Sequence, residues 1–137
     1  MMATRRHLLL GLAGLGSGFL PEPGQALERT SLFDVAARLV AIYRAEDADA
    51  LHRALAPDLQ PEFPPTALSA WLKEARDTFG ILQRTSLPTY GSRAHSIFVA
   101  YFDRGPSDMF LQLDEQERVV FWTFKTPSKV LSLRRRV

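Results

Sequence analysis

The sequence predicts an α+β domain in which helices come first along the chain and a sheet follows. Before residue 80, apolar residues recur every three or four positions in three segments, which is the spacing of one helix face. After residue 80 they alternate with a period of two, as in strands. The links between the later segments are short, which favours antiparallel pairing because parallel strands need long crossovers. This segregation indicates helices packed on one face of a sheet.

Residues that favour helix ends bound the three helical segments. The first helix is predicted from Ser31, an N-cap candidate, to about Arg44. A second, short helix follows the acidic run 46–49, whose aspartates suit its N-terminus. The third helix is predicted from Thr66 to the residue before Gly80, since glycine suits a left-handed C-terminal cap.

Four strands are predicted, and two of them are apolar on both faces. The four segments are residues 81–89, 93–103, 109–114 and 118–126, of which the second and fourth are doubly apolar. A sheet covered by helices on one side normally carries polar residues on the other. The second face therefore needs a cover, either the tail beyond Pro127 or a second copy of the chain. We expect a homodimer through the sheet.

The first 26 residues have the plan of a cleavable signal peptide. A charged start that contains Arg5 and Arg6 precedes a glycine-rich apolar run over residues 8–20. Two consecutive arginines before such a run are typical of twin-arginine export, although the general secretory route stays open. Gly24 and Ala26 supply the small residues expected before a cleavage site, so cleavage is predicted after Ala26.

Export through this segment predicts a mature chain that begins at Leu27. N-terminal sequencing of exported protein should find this residue first, and a chain still beginning at Met1 or Met2 would contradict the prediction. An uncleaved membrane anchor is the alternative. As a helix, residues 8–20 would span about 20 Å, short of the roughly 30 Å of a bilayer core. We therefore expect a periplasmic or secreted protein without a stable membrane anchor.

Composition narrows the chemistry that the chain can perform. Its 137 residues carry a formal net charge of only +2, which argues against a nucleic-acid partner. The absence of cysteine excludes disulfides, thiolate metal sites and cysteine nucleophiles. Beyond the leader, the two histidines lie far apart without a carboxylate cluster, so no metal site is predicted. Phosphate-cradling loops need clustered glycines, which the mature chain lacks, so no cofactor is predicted.

A few side chains are candidates for binding or catalysis. His95 and Tyr101 share one face of the second predicted strand, and an imidazole with a phenol in an apolar cavity can do acid–base work. Alternatively, His95 lies near the sheet edge or makes one structural hydrogen bond. Aromatic residues either line a cavity for an apolar ligand or fill the core. The candidates for ligand binding are Tyr43, Trp71, Phe79, Tyr101 and Phe121.

Four short stretches carry a resemblance to a known fold: residues 44–51 (RAEDADAL), 68–71 (LSAW), 79–80 (FG) and 113–119 (LDEQERV). Residues 33–126 resemble the nuclear-transport-factor-2-like fold, a cystatin-like cone of three helices against a curved sheet. Within it, the chain is most similar to an uncharacterised secreted family whose members stand alone or precede α/β-hydrolase domains. The resemblance implies such a domain over 27–127 and a basic tail over 128–137. It brings no assigned catalytic residues.

Two functions from different classes are compatible with these features. The first is an exported, non-catalytic domain that binds a small apolar ligand or a periplasmic protein partner. The alternative is a small enzyme of the isomerase or cyclase type, with His95 and Tyr101 as its acid–base pair. An enzyme of this kind needs a titratable side chain that faces an enclosed space, with a second polar group within reach.

Overall fold

The computed structural model describes residues 23–92 and 94–135, with side chains from residue 31 onward. Within this part of the chain, three helices precede six strands, so the predicted α+β class and element order are confirmed. The elements are α1 Pro23–Ala45, α2 Ala48–Ala54, α3 Pro65–Phe79, β1 Leu82–Thr85, β2 Tyr90–Ser92, β3 His95–Phe102, β4 Gly105–Leu113, β5 Val119–Lys125 and β6 Val130–Arg134.

The strands form one antiparallel sheet in the order β1-β3-β4-β5-β6. Strands β1 and β2 lie on the same side of β3, where β1 pairs with its second half and β2 with its first half. The sheet is therefore a meander with a two-part edge on one side and β6 on the other. The arrangement is compatible with a cone.

The structure has six strands where the sequence predicts four. The first predicted strand, residues 81–89, is represented only by β1, and Pro88 lies beyond its end, where proline cannot donate a ladder hydrogen bond. The first addition is β2, residues 90–92, which lies between the first and second predicted strands. The second addition is β6, which lies in the segment predicted as a basic tail. Its side chain Leu133 is fully buried, so residues 130–134 belong to the folded domain rather than to a solvated end.

The first helix also begins earlier than its predicted start. Ser31 lies inside α1 and does not cap it, since the helix already runs from Pro23. The intervening Gln25–Arg29 contains good helix formers and no proline, so nothing in the sequence stops the helix there. The second helix confirms its predicted cap, because Asp47 accepts a hydrogen bond from the Ala50 N–H at 3.0 Å.

The space between the helices and the sheet is filled by aromatic rings. Phe124 on β5 lies at the centre, with ring centroids of five other aromatic residues 5.1 to 6.2 Å away. Edge-to-face and stacked contacts at these distances stabilise the fold by more than the burial of the apolar ring surface alone. The five neighbours are Tyr43, Trp71, Phe79, Phe102 and Trp122.

Candidate functional site

Three of the predicted ligand-binding aromatics lie in this core. Tyr43 is 2% exposed, and its hydroxyl donates a hydrogen bond to the Gly80 carbonyl at 2.6 Å. The Trp71 indole N–H donates to the Ser132 carbonyl at 3.1 Å. The ring of Phe79 stacks on that of Phe102, 5.4 Å between centroids. These side chains therefore contact the protein itself. The Tyr43 hydroxyl joins α1 to the end of α3, and the Trp71 indole joins α3 to β6.

The environment of Tyr43 also fixes its protonation state. Burial raises the pKa of its phenol well above the ordinary value of about 10, since a charged phenolate would be desolvated there. The group is thus a neutral hydrogen-bond donor at physiological pH. A phenol in this state is a structural donor and a poor general base.

The candidate acid–base pair lies on the opposite face of the sheet. His95 and Tyr101 occupy the two ends of β3, six residues apart, which corresponds to about 20 Å along a strand. His95 is exposed, and its Nδ1 is 3.3 Å from the amide nitrogen of Gln112. The guanidinium of Arg84 lies 4.0 Å above the Tyr101 ring. The structure does not bring the two side chains together at one ligand-sized site.

The face of the sheet that points away from the helices is apolar at its centre, and we call it the open face. Ile97 on β3 is paired with Phe110 on β4. Because residues paired across antiparallel strands share a face, these two side chains lie next to each other. The half-buried side chains at the centre are those of Ile97, Val99, Tyr101, Phe110 and Phe121. Tyr101 and Phe121, both predicted to bind a ligand, thus lie here, apart from Tyr43, Trp71 and Phe79.

The edges of the open face carry exposed hydrophobic side chains and a pair of opposite charges. Tyr90, 66% exposed, pairs with Ile97 at the β2 edge, and Val130, 60% exposed, lies on β6. Asp108 on β4 and Lys125 on β5 form a directly opposite pair across these two strands. These charged residues also line an open groove of about 330 Å³ on this face.

A second concavity lies at the other side of the domain, between α1, α2 and the turn that joins β4 to β5. We call it the hairpin pocket, and its volume is about 370 Å³. Its lining combines aliphatic side chains with three arginines. Local sequence pattern does not predict this pocket, because its walls come from segments up to 84 positions apart, Val35 to Val119. Helical spacing alone gives a partial signal, since Arg38 follows Val35 and precedes Leu39 and Ile42 on one face of α1.

Other predicted features concern metals, membranes and export. The described residues contain no group of three or more histidine, aspartate or glutamate side chains that could hold a metal ion. No helix among them is long and apolar enough to cross a membrane. Arg5 and Arg6 lie outside the described residues, whereas Ala26 falls within the first turns of α1.

The fold and these surfaces define a small α+β domain with an aromatic core and an open, apolar sheet face. Comparisons with protein-family models, with curated proteins and with solved structures find no match to this chain. The resemblance to nuclear-transport-factor-2-like proteins therefore stays a prediction.

Proposed function

We propose that this protein is an exported, non-catalytic binding domain of the nuclear-transport-factor-2-like type, and that its partner is a second copy of itself. The observation that carries the proposal is the apolar open face. Of the three large hydrophobic side chains that are exposed among the described residues, Tyr90 and Val130 lie at the edges of this face. Contiguous apolar surface on a soluble domain is typical of an interaction site.

The distribution of charge on the open face favours a second copy as the partner. A two-fold interface joins the same patch on both chains, so the patch must complement itself. Asp108 and Lys125 are neighbours on adjacent strands, and a two-fold axis can place each against the opposite charge of the other chain. An apolar centre with a polar rim is the usual anatomy of a protein interface.

The interior of the domain supports a protein partner over a small ligand held between the helices and the sheet. Phe124 and the five aromatic rings around it occupy that space, and the predicted ligand-binding residues Tyr43, Trp71 and Phe79 are among the five. The separation of His95 and Tyr101 along β3 does not support shared acid–base chemistry. We therefore place the function in binding rather than in catalysis.

Export is the second part of the proposal and rests on the N-terminal sequence. Cleavage after Ala26 would shorten α1 to residues 27–45. The buried side chains of α1 in the described part of the chain begin at Leu32 and continue through Tyr43. Removing the leader would therefore leave this set of core contacts intact, as a mature folded domain requires.

The substitution Phe110→Glu tests the self-association. Phe110 lies between Ile97 and Thr123 at the centre of the open face, so a carboxylate there would be desolvated twice in a two-fold dimer. We expect the full-length protein to sediment as a dimer at micromolar concentration. We expect the variant to dissociate at least about 30-fold more readily, which corresponds to the 2 kcal/mol of an interface hot spot.

The matched control is Ala70→Glu, which adds the same charge at an exposed position of α3, on the helix side of the domain. This variant should remain as dimeric as the parent protein in sedimentation velocity. A monomeric parent at about 100 µM, well above the micromolar range of Kd expected for a specific pair, would refute the proposal. So would equal dissociation of Phe110→Glu and the parent.

A further inference from the structure

We infer that the hairpin pocket binds a small amphipathic carboxylate, independently of the open face. The pocket combines three arginine side chains with an aliphatic floor, and it lies at the helix side of the domain. Such a combination suits a ligand with an anionic head and a short apolar body. This inference does not rest on the self-association proposed above.

The floor of the pocket is the margin of the hydrophobic core. Val35 and Leu39 on α1 are almost fully buried, and they line the pocket together with Ile42 one turn further on. On α2, Ala50 and Ala54 lie one turn apart and face the same space. Because alanine side chains are small, this wall leaves room for an aliphatic chain.

The wall opposite α1 is held in place by backbone contacts. One carboxylate oxygen of Asp114 accepts hydrogen bonds from the N–H groups of Gln116 and Arg118, at 2.9 and 2.8 Å. The Ala56 N–H donates to the Val119 carbonyl at 2.8 Å, which ties the end of α2 to the start of β5. A pocket built this way is preformed, so binding a ligand costs little further ordering.

The three arginines leave donors available to an anion. Arg38 and Arg53 form no ion pair with any residue in the described part of the chain. Arg118 forms an ion pair with Asp114, with 3.7 Å between its Nε and a carboxylate oxygen, and this Nε is buried without a hydrogen bond in the described part of the chain. This nitrogen is closed to solvent, so an anion in the pocket would contact the accessible part of the Arg118 guanidinium together with Arg38 and Arg53.

The balance of charge favours a singly charged head group. The pocket lining carries three arginines and Glu117, and Asp114 is ion-paired with Arg118, so the formal charges of these five residues sum to +1. A carboxylate matches this balance, whereas a doubly charged phosphate would not be neutralised. The volume of about 370 Å³ lies at the small end of the range for ligand pockets, which limits the apolar body to a short chain.

Isothermal titration calorimetry of the full-length protein with octanoate tests the inference. Octanoate supplies both the head and the chain, 1-octanol supplies the chain without the charge, and acetate supplies the head alone. We expect saturable one-to-one binding of octanoate. Octanol and acetate should each bind at least about tenfold more weakly, since each lacks one of the two interactions. Raising the salt concentration should weaken the octanoate complex, because the arginines at the rim are exposed to solvent.

Two variants locate the binding. The double substitution Arg38→Gln with Arg53→Gln should weaken octanoate binding about tenfold or more, because two charge-assisted contacts are lost. Ala54→Leu should prevent binding by filling the pocket while leaving every charge in place. Arg44→Gln, an exposed arginine of α1 outside the pocket, is the matched control and should bind octanoate like the parent protein.

The outcomes separate this inference from the proposed dimer. Phe110→Glu should bind octanoate normally, since the open face lies on the other side of the sheet. Thermal melts of each variant establish that it is folded before it is titrated. The inference is overturned if octanoate does not bind at about 10 mM, a level that would reveal even a millimolar Kd. It is also overturned if octanol binds equally well, or if the double arginine variant binds as tightly as Arg44→Gln.

Discussion

Replacing Phe124 by alanine should destabilise the domain by about 3–5 kcal/mol, the usual cost of deleting a buried phenylalanine ring. Phe124 is fully buried and its ring contacts five other aromatic rings, which come from α1, α3, β3 and β5. A rigid ring cage collapses poorly into a vacated space, so the cavity should persist. For a domain of this size the melting temperature should fall by roughly 12–20 °C.

The chain contains its own probe for this measurement. Its two tryptophans, Trp71 and Trp122, lie 6.2 and 5.2 Å from the Phe124 ring, so their fluorescence reports directly on the core. Urea denaturation should be followed at one fixed protein concentration, because the proposed self-association would make stability depend on concentration. Phe124→Leu, which keeps most of the volume, should lose about 1–1.5 kcal/mol. A loss below about 1 kcal/mol for Phe124→Ala would show that this ring is not central to the core.

Helices were the most predictable part of this fold, because their periodicity is a local property of the sequence. The apolar residues that recur at helical spacing in α3 are all buried in the structure: Leu68, Trp71, Leu72, Ala75 and Phe79. The same holds for the apolar residues at helical spacing in α1: Leu32, Ala36, Leu39, Val40 and Tyr43. The ends were less predictable, since Ser31 has the chemistry of a cap but lies within a longer run of good helix formers.

The edges of the sheet were harder to predict than its centre. Strands β3 and β5 have long alternating patterns, whereas β2 has only three residues and follows a proline. The sequence of β6 resembles a basic chain end because the strand ends at Arg134 and Arg135 follows it. Its assignment depends on pairing with β5 and on the burial of Leu133, which are contacts with other segments. Local pattern carries no information about either.

The prediction of the candidate sites was limited for the same reason, since local pattern does not reveal contacts between distant segments. Apolar residues on both faces of β3 and β5 predicted an uncovered apolar surface, and the structure has one in the open face. The pattern did not tell which aromatic residues face the core. Tyr43 and Trp71 have the amphipathic chemistry of ligand contacts, but their polar atoms bond to Gly80 and Ser132, which only the folded chain brings close. The hairpin pocket likewise exists only once α1 and the β4–β5 turn are adjacent.

Replacing Gly80 by alanine should destabilise the domain by about 2–4 kcal/mol, the combined cost of backbone strain and a broken hydrogen bond. Gly80 ends α3 with φ +100° and ψ −156°, a combination that is almost restricted to glycine. An added Cβ would collide with a carboxylate oxygen of Asp103. That oxygen accepts a hydrogen bond from the Ile81 N–H at 2.8 Å, so moving it away breaks a contact that holds β1 against β3.

Gly80 also cannot move to relieve the collision, because its two backbone polar groups are engaged. Its N–H donates to the Arg76 carbonyl at 2.9 Å, and its carbonyl accepts the buried hydroxyl of Tyr43 at 2.6 Å. Gly105→Ala is the matched control, since Gly105 has φ +134° but no atom within 4 Å of an added Cβ. It should therefore show the backbone strain alone, about 1–2 kcal/mol. Equal urea midpoints for the two variants would mean that the contact with Asp103 contributes nothing. A larger loss of stability for Gly80→Ala than for Gly105→Ala would show that the backbone at the junction of α3, β1 and Tyr43 does not shift to accommodate a side chain.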